Sequence, residues 1–99
     1  MVITELEAHV PADKWDALRQ AYRDLTTRGL PSQMVRGVLL QSTTDPTLWR
    51  AISTWRSRAA LDEYRSSVET PGGVLLFRGV GVEPVLTLFD VAGHAPAEG

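Results

Sequence analysis

The chain has 99 residues, 43% of them hydrophobic, with 10 basic against 12 acidic side chains and a formal net charge of −2. Such a length supports one domain, which on folding alone buries only roughly 60 to 70% of the surface its unfolded chain exposes. The interspersed charges leave no basic face to neutralise a phosphate backbone, so nucleic acid is not an expected partner. The absence of cysteine removes any disulfide framework or thiolate metal site, and the 2 histidines are too few for a histidine cluster within one chain.

The opening residues, Met1 to Glu7, carry no basic segment and are interrupted by acidic side chains, so no signal peptide is expected. No apolar stretch approaches the roughly 20 residues of a membrane span. A soluble, cytoplasmic protein without a membrane partner is the expectation.

From Val2 to Val10 the chain alternates, with Val2, Thr4, Leu6, Ala8 and Val10 on one face and Ile3, Glu5, Glu7 and His9 on the other, the pattern of a strand with one apolar side. Pro11 ends it, and Ala12 or Asp13 can cap a helix after it. Trp15, Leu18, Tyr22 and Leu25 then trace the stripe of an amphipathic helix lying on a sheet, stopped by Gly29 and Pro31. A second strand spans Gln33 to Gln41, with Met34, Arg36, Val38 and Leu40 in one row and Val35, Gly37, Leu39 and Gln41 in the other. The turn residues Thr43 to Pro46 join it as a hairpin to a third strand.

In that third strand Trp49, Ala51, Ser53 and Trp55 share a face; at Ser57 the period changes from two residues to the helical spacing of Leu61, Tyr64 and Val68. Ser57 is the natural N-cap. Thr70 and Pro71 can open a further short helix through Phe77, although Gly72 and Gly73 each cost it about 1 kcal/mol relative to Ala. Pro84 opens a last strand, with Val85, Thr87, Phe89 and Val91 opposite Leu86, Leu88 and Asp90. The order predicts an α+β domain over residues 1–92, a ferredoxin-like βαββαβ arrangement with a four-stranded antiparallel sheet, and a disordered tail over residues 93–99. Helices cover one face of such a sheet; the apolar surface left on the other predicts a homodimer that packs sheet against sheet.

A strand ending in Trp55, a turn at Ser57, the Ala60-Leu61-Asp62 pattern and Tyr64 nine residues after Trp55 together resemble the antibiotic biosynthesis monooxygenase family of small dimeric α/β barrels. The resemblance runs over roughly residues 2–91. It implies that the position of Tyr64, where haem-degrading relatives place a Trp and other members often a His, faces the cavity between the helices and the sheet. It also bears on cofactors. Haem-degrading members place a ligating His ten residues further on, which here is Val74, and an Asn on the first strand, which falls at Thr4; the sequence has no Asn at all. Haem degradation is therefore not the expected activity. The quinone-forming members use no metal or organic cofactor, and their chemistry asks for an apolar pocket, a hydrogen-bonding group for an oxyanion and a proton relay.

The resemblance thus implies a cofactor-independent oxidation of a small planar aromatic or polyketide-type phenol, with Tyr64 and Thr4 as the polar, catalytic contacts. Trp55, Trp49, Met34, Tyr22 and Phe77 are the candidate substrate-binding walls, flat rings with one polar edge suiting a planar aromatic molecule. The same rings, Tyr22 and Trp15 foremost, also read as ordinary core. Two other functions fit the barrel: a non-catalytic binding or sensing dimer, which the missing Asn favours, and an isomerase or cyclase, which needs a general base. His9 is the obvious neutral-pH candidate for that base, but its row, with Glu5 and Glu7, lies opposite the helices and better suits a dimer interface or strand end. Arg50, on the third strand, is placed to meet Glu5 or Glu7 if the first and third strands are neighbours.

Overall fold

The computed structural model describes residues 1–96 and shows β1 (Val2–His9), α1 (Trp15–Thr27), β2 (Met34–Gln41), β3 (Leu48–Trp55), α2 (Arg58–Ser67), α3 (Gly72–Arg78) and β4 (Val85–Asp90). The strands form one antiparallel sheet in the order β2-β3-β1-β4, the ferredoxin-like arrangement, with the helices on one face. Residues 97–99 of the expected tail lie outside the described residues; Gly93 to Pro96 are exposed and outside any helix or strand. No helix among the described residues is long and apolar enough to cross a membrane.

Local chemistry accounts for most element ends. Ser57 caps α2 as expected, its Oγ accepting from the Ala60 N–H at 3.0 Å. At the other end the hydroxyls of Ser66 and Ser67 bond back to the carbonyls of Asp62 and Tyr64, and Val68 turns extended. The hairpin between β2 and β3 is closed by Asp45, whose Oδ1 accepts from the Thr47 N–H at 3.1 Å and from the Thr47 hydroxyl at 2.7 Å.

Three expectations are corrected. Neither Ala12 nor Asp13 caps α1: a single 3-10 turn over Ala12–Lys14 comes first, and α1 starts at Trp15 without a side-chain cap. Pro71 is the extended residue before α3 and not its first helical residue, and no side chain caps that helix. The third concerns β2, where a bulge between Met34 and Arg36 re-phases the strand. Met34 pairs with Trp55 on the helix-covered face, alongside Gly37 and Leu39, whereas Arg36, Val38 and Leu40 point to the other side. Strict alternation had put Met34 in their row.

The register places Val2, Thr4, Leu6 and Ala8 of β1 beside Trp55, Ser53, Ala51 and Trp49 of β3 under the helices. Two buried clusters form there. One gathers Leu6, Val10, Leu18, Trp49, Leu76 and Phe77 beneath α1 and α3; the other gathers Val2, Trp55 and Leu61 beneath α2. The opposite sheet face is uncovered and holds Val85 at 64% exposure, Phe89 at 50% and Leu40 at 47%. In its centre Arg50 spans Glu5 at 3.1 Å and Glu7 at 2.7 Å, the pairing that β1–β3 adjacency predicts.

Candidate functional site

Between the two clusters the helices stand away from the sheet and leave a cavity of two adjoining lobes, about 300 Å³ and 280 Å³. Leu6, Met34, Ser53, Tyr64 and Gly73 border both, so Tyr64 stands at the junction. The first lobe opens between α2, α3 and β4 and is lined further by Thr4, Trp55, Leu61, Val74 and Leu86, with Arg65, Glu69 and Arg78 also in its wall. The second runs under the C-terminal end of α1 to the loop before β2 and is lined further by Tyr22, Leu25, Arg28, Leu30 and Leu76.

Thr4, Trp55 and Tyr64 of the first lobe form one chain of contacts. Trp55 donates its Nε1–H to the Thr4 Oγ1 at 3.0 Å, and its ring lies against Tyr64 with centroids 4.9 Å apart and planes tilted by 33°. The Tyr64 hydroxyl accepts from the backbone N–H of Gly72 at 3.0 Å, which ties α2 to the start of α3. Both the Thr4 and the Tyr64 oxygens therefore receive a protein donor, leaving each hydroxyl hydrogen available to a ligand. α3 comes close to the sheet at Gly73: a Cβ there would stand 2.7 Å from the Leu6 Cδ1, so the tip of that leucine would have to move. What Gly72 and Gly73 cost α3 in helix propensity, they return as close packing at the cavity wall.

In the second lobe burial raises the pKa of the Tyr22 phenol, which thus stays protonated. A Cβ on Gly37 would meet its hydroxyl at 3.2 Å, so the glycine in β2 makes room for the Tyr22 head.

The structure thus brings Tyr64, Thr4, Trp55, Met34 and Tyr22 around one space, and leaves two of the sequence candidates outside it. Phe77, on α3, is fully buried against the sheet-side cluster. Trp49, 2% exposed, packs against Trp15 at 6.3 Å between centroids and under the Arg19 guanidinium at 5.2 Å, its Nε1 without a partner. Both line neither lobe, because α1 and α3 close over that end of the sheet. His9 is on the uncovered side, its Nδ1 3.0 Å from the Thr47 Oγ1, far from the role of a cavity base. Ser53, Arg28, Arg65 and Glu69 were not singled out in the sequence. Ser53 was legible as the fourth member of the Trp49, Ala51, Trp55 row, whereas helix-end charges carry no periodic signal.

No lining residue of either lobe is a His, and Val74, where haem-degrading relatives are expected to carry the ligand, presents an aliphatic side chain to the first lobe. An axial imidazole for haem iron is therefore not supplied by these walls. Among the described residues no group of three or more His, Cys, Asp or Glu is placed to hold a metal ion.

Residues 1–70 match the family described as antibiotic biosynthesis monooxygenase, and the chain belongs to that family. The match takes in β1 to α2, with Thr4, Trp55 and Tyr64, and stops before α3 and β4. No curated protein matches the chain. Among solved structures, Rv0793 from Mycobacterium tuberculosis is 23% identical, with 95% of this chain and 97% of that one covered and a TM-score of 0.70. A candidate antibiotic biosynthesis monooxygenase from Deinococcus radiodurans is 13% identical over 100% of both chains, with a TM-score of 0.74. The heme-degrader MhuD of Mycobacterium tuberculosis, solved with two hemes in its active site, is 16% identical over 96% of this chain and 99% of its own, also at 0.74. At these identities the likeness establishes the fold.

Proposed function

We propose that this protein is a cofactor-independent monooxygenase that oxidises a small planar aromatic or polyketide-type phenol with O2, working as a homodimer with one pocket per subunit. The observation that carries the reading is the first lobe, a mostly apolar space with a Trp–Tyr wall, the Thr4 hydroxyl in that wall and the Tyr64 hydroxyl at the junction of the lobes, neither hydroxyl donating to an acceptor among the described residues. The phenol loses its O–H hydrogen and the one hydrogen of an activated ring carbon, that carbon becoming the second carbonyl of a quinone as O2 supplies one atom to the product and one to water; the substrate furnishes all four electrons. The protein's part is to stack the ring on Trp55, to hold the phenolate oxygen with the Tyr64 and Thr4 hydroxyls, and to return a proton as the oxygen adduct breaks down. Those hydrogen bonds favour the deprotonated substrate, the form that gives an electron to oxygen.

The uncovered sheet face supports the dimer. Its exposed Val85, Phe89 and Leu40 and the half-buried Ile3, Val38 and Ile52 place apolar side chains around the Arg50 ion pairs, and a second copy packed sheet to sheet would cover them. Light scattering through a dilution series should give a mass near twice 10.9 kDa, and a clean monomer at micromolar concentration would overturn this arrangement.

The deciding experiment is oxygen uptake by purified, metal-free protein with hydroxylated anthrones, naphthols and quinols. Uptake without added cofactor is expected, falling by about 10²-fold in Tyr64→Phe while affinity stays within a few-fold. Unchanged turnover in the variant would remove Tyr64 from the mechanism. Saturable quenching of Trp fluorescence without any uptake would leave a binding or sensing protein in place of an enzyme.

A further inference from the structure

The two lobes differ in charge. The first has Arg65, Glu69 and Arg78 in its wall, of mixed sign, with Arg78 held by Glu83 through bonds of 2.9 and 2.8 Å. The second has one charged residue, Arg28, and no carboxylate. Among the described residues Arg28 makes no ion pair and no side-chain hydrogen bond, and it lies just past the last residue of α1, at the exposed end of the lobe. The rest of the wall is mostly apolar, with Leu25, Leu30, Met34 and Leu76 prominent.

An apolar recess with one unopposed cation at its mouth selects a ligand with an apolar body and one anionic end. A single guanidinium, with no second cation in the wall, suits a singly charged carboxylate better than a phosphate dianion. The space matches a body of two fused rings: its 280 Å³ is approaching twice the volume of about 150 Å³ that holds a benzene-sized guest.

We propose that the second lobe receives the far end of the substrate and that this end is an aryl carboxylate, held by Arg28 while the oxidised phenolic ring lies in the first lobe beside Trp55 and Tyr64. The assignment rests on the reading of the cavity as the substrate site and narrows it to aromatic hydroxy-acids long enough to pass the Tyr64 junction. Arg28 also complements the carbonyl end of α1, a role that affects stability and not ligand charge preference, so the test reads ligand charge.

The test uses 2-naphthoate and its uncharged isostere 2-naphthamide, titrated calorimetrically into the wild-type protein, Arg28→Gln and Arg65→Gln. The carboxylate should bind about tenfold more tightly than the amide to wild type, with a preference that shrinks as salt is raised. Arg28→Gln should abolish the preference while leaving the amide's affinity unchanged, and Arg65→Gln should keep it. Equal binding of the two probes to wild type, or a preference that survives in Arg28→Gln, overturns the assignment of Arg28 and leaves the cavity reading standing. Binding of neither probe, in protein that still takes up oxygen with phenols, overturns the carboxylate assignment alone. Binding of neither with no uptake of oxygen removes both.

Discussion

Trp49 and Trp55 stand on one face of one strand, six positions apart, and both are nearly sealed from solvent, at 2% and 4% exposure. They nevertheless do different things. Trp49 lies where α1 and α3 both come down on the sheet, so it is walled by Trp15, Arg19 and the Phe77 cluster, and its Nε1 has no partner. Trp55 lies beneath α2 alone, gives its Nε1–H to Thr4 and turns its ring to Tyr64 and a cavity. Burial by itself does not separate a core ring from a site ring; what separates them is whether neighbouring elements close over it or stand off.

That contrast is open to measurement, and the largest effect belongs to the closed end. Phe77→Ala should destabilise the fold by about 3–5 kcal/mol in denaturant unfolding, because its loss opens a void in a fully packed cluster. Trp55→Ala should cost closer to about 3 kcal/mol, since one side of that ring already borders empty space, and should abolish binding of aromatic ligands. Equal destabilisation by the two would remove the distinction between a closed and an open end.

Thr4→Val probes the hydrogen bond that marks the open end. It keeps the side chain's shape but leaves the Trp55 Nε1 without an acceptor, as Trp49 already is, so a loss of about 1–3 kcal/mol is expected in the same unfolding assay. Thr4→Ser, which retains the oxygen, should be close to neutral. If Val and Ser behave alike, the bond contributes nothing and the two tryptophans are energetically equivalent in this respect.

The smallest effect concerns the β2–β3 turn, away from both ends. The Thr47 hydroxyl holds the Asp45 carboxyl below its ordinary pKa; desolvation opposes it, and the Thr47 N–H and then His9 add to the lowering. A carboxylate depressed in the folded state contributes stability above its unfolded pKa and loses that contribution as pH falls through the folded value. Wild type should therefore lose stability on acidification from about pH 4 downward by a small margin that Asp45→Asn lacks. Superimposable acid profiles of the two proteins would mean that the turn does not feel this carboxylate.

Much of this was legible in the chain. The change of period at Ser57 placed the end of β3, the cap and α2; Leu6 and the Trp row of β3 were marked as one strand face, and Leu18 and Leu61 as the sheet-facing stripes of their helices, since side-chain direction follows the backbone period. Met34 was less accessible, because one extra residue at the bulge shifts the phase and alternation cannot register an insertion before the partner strand is known. The glycines of α3 were read as weak points, since propensity is a local quantity; what they do lies in distant contacts, Gly73 approaching Leu6, 67 residues away in sequence, and Gly72 approaching Leu25 and the Tyr64 hydroxyl.

The sequence by itself determined the elements, their order and one apolar face for each, because these follow from periodicities of two and 3.6 residues and from the chemistry of caps and turns. Only the tertiary structure decided that Trp49 and Phe77 close one end while Trp55, Tyr64 and Thr4 border a cavity at the other, and that Arg28 alone charges the second lobe. Those outcomes depend on where three helices settle on a four-stranded sheet. That placement is set by the summed fit of many side chains, and no single stretch of the chain records it.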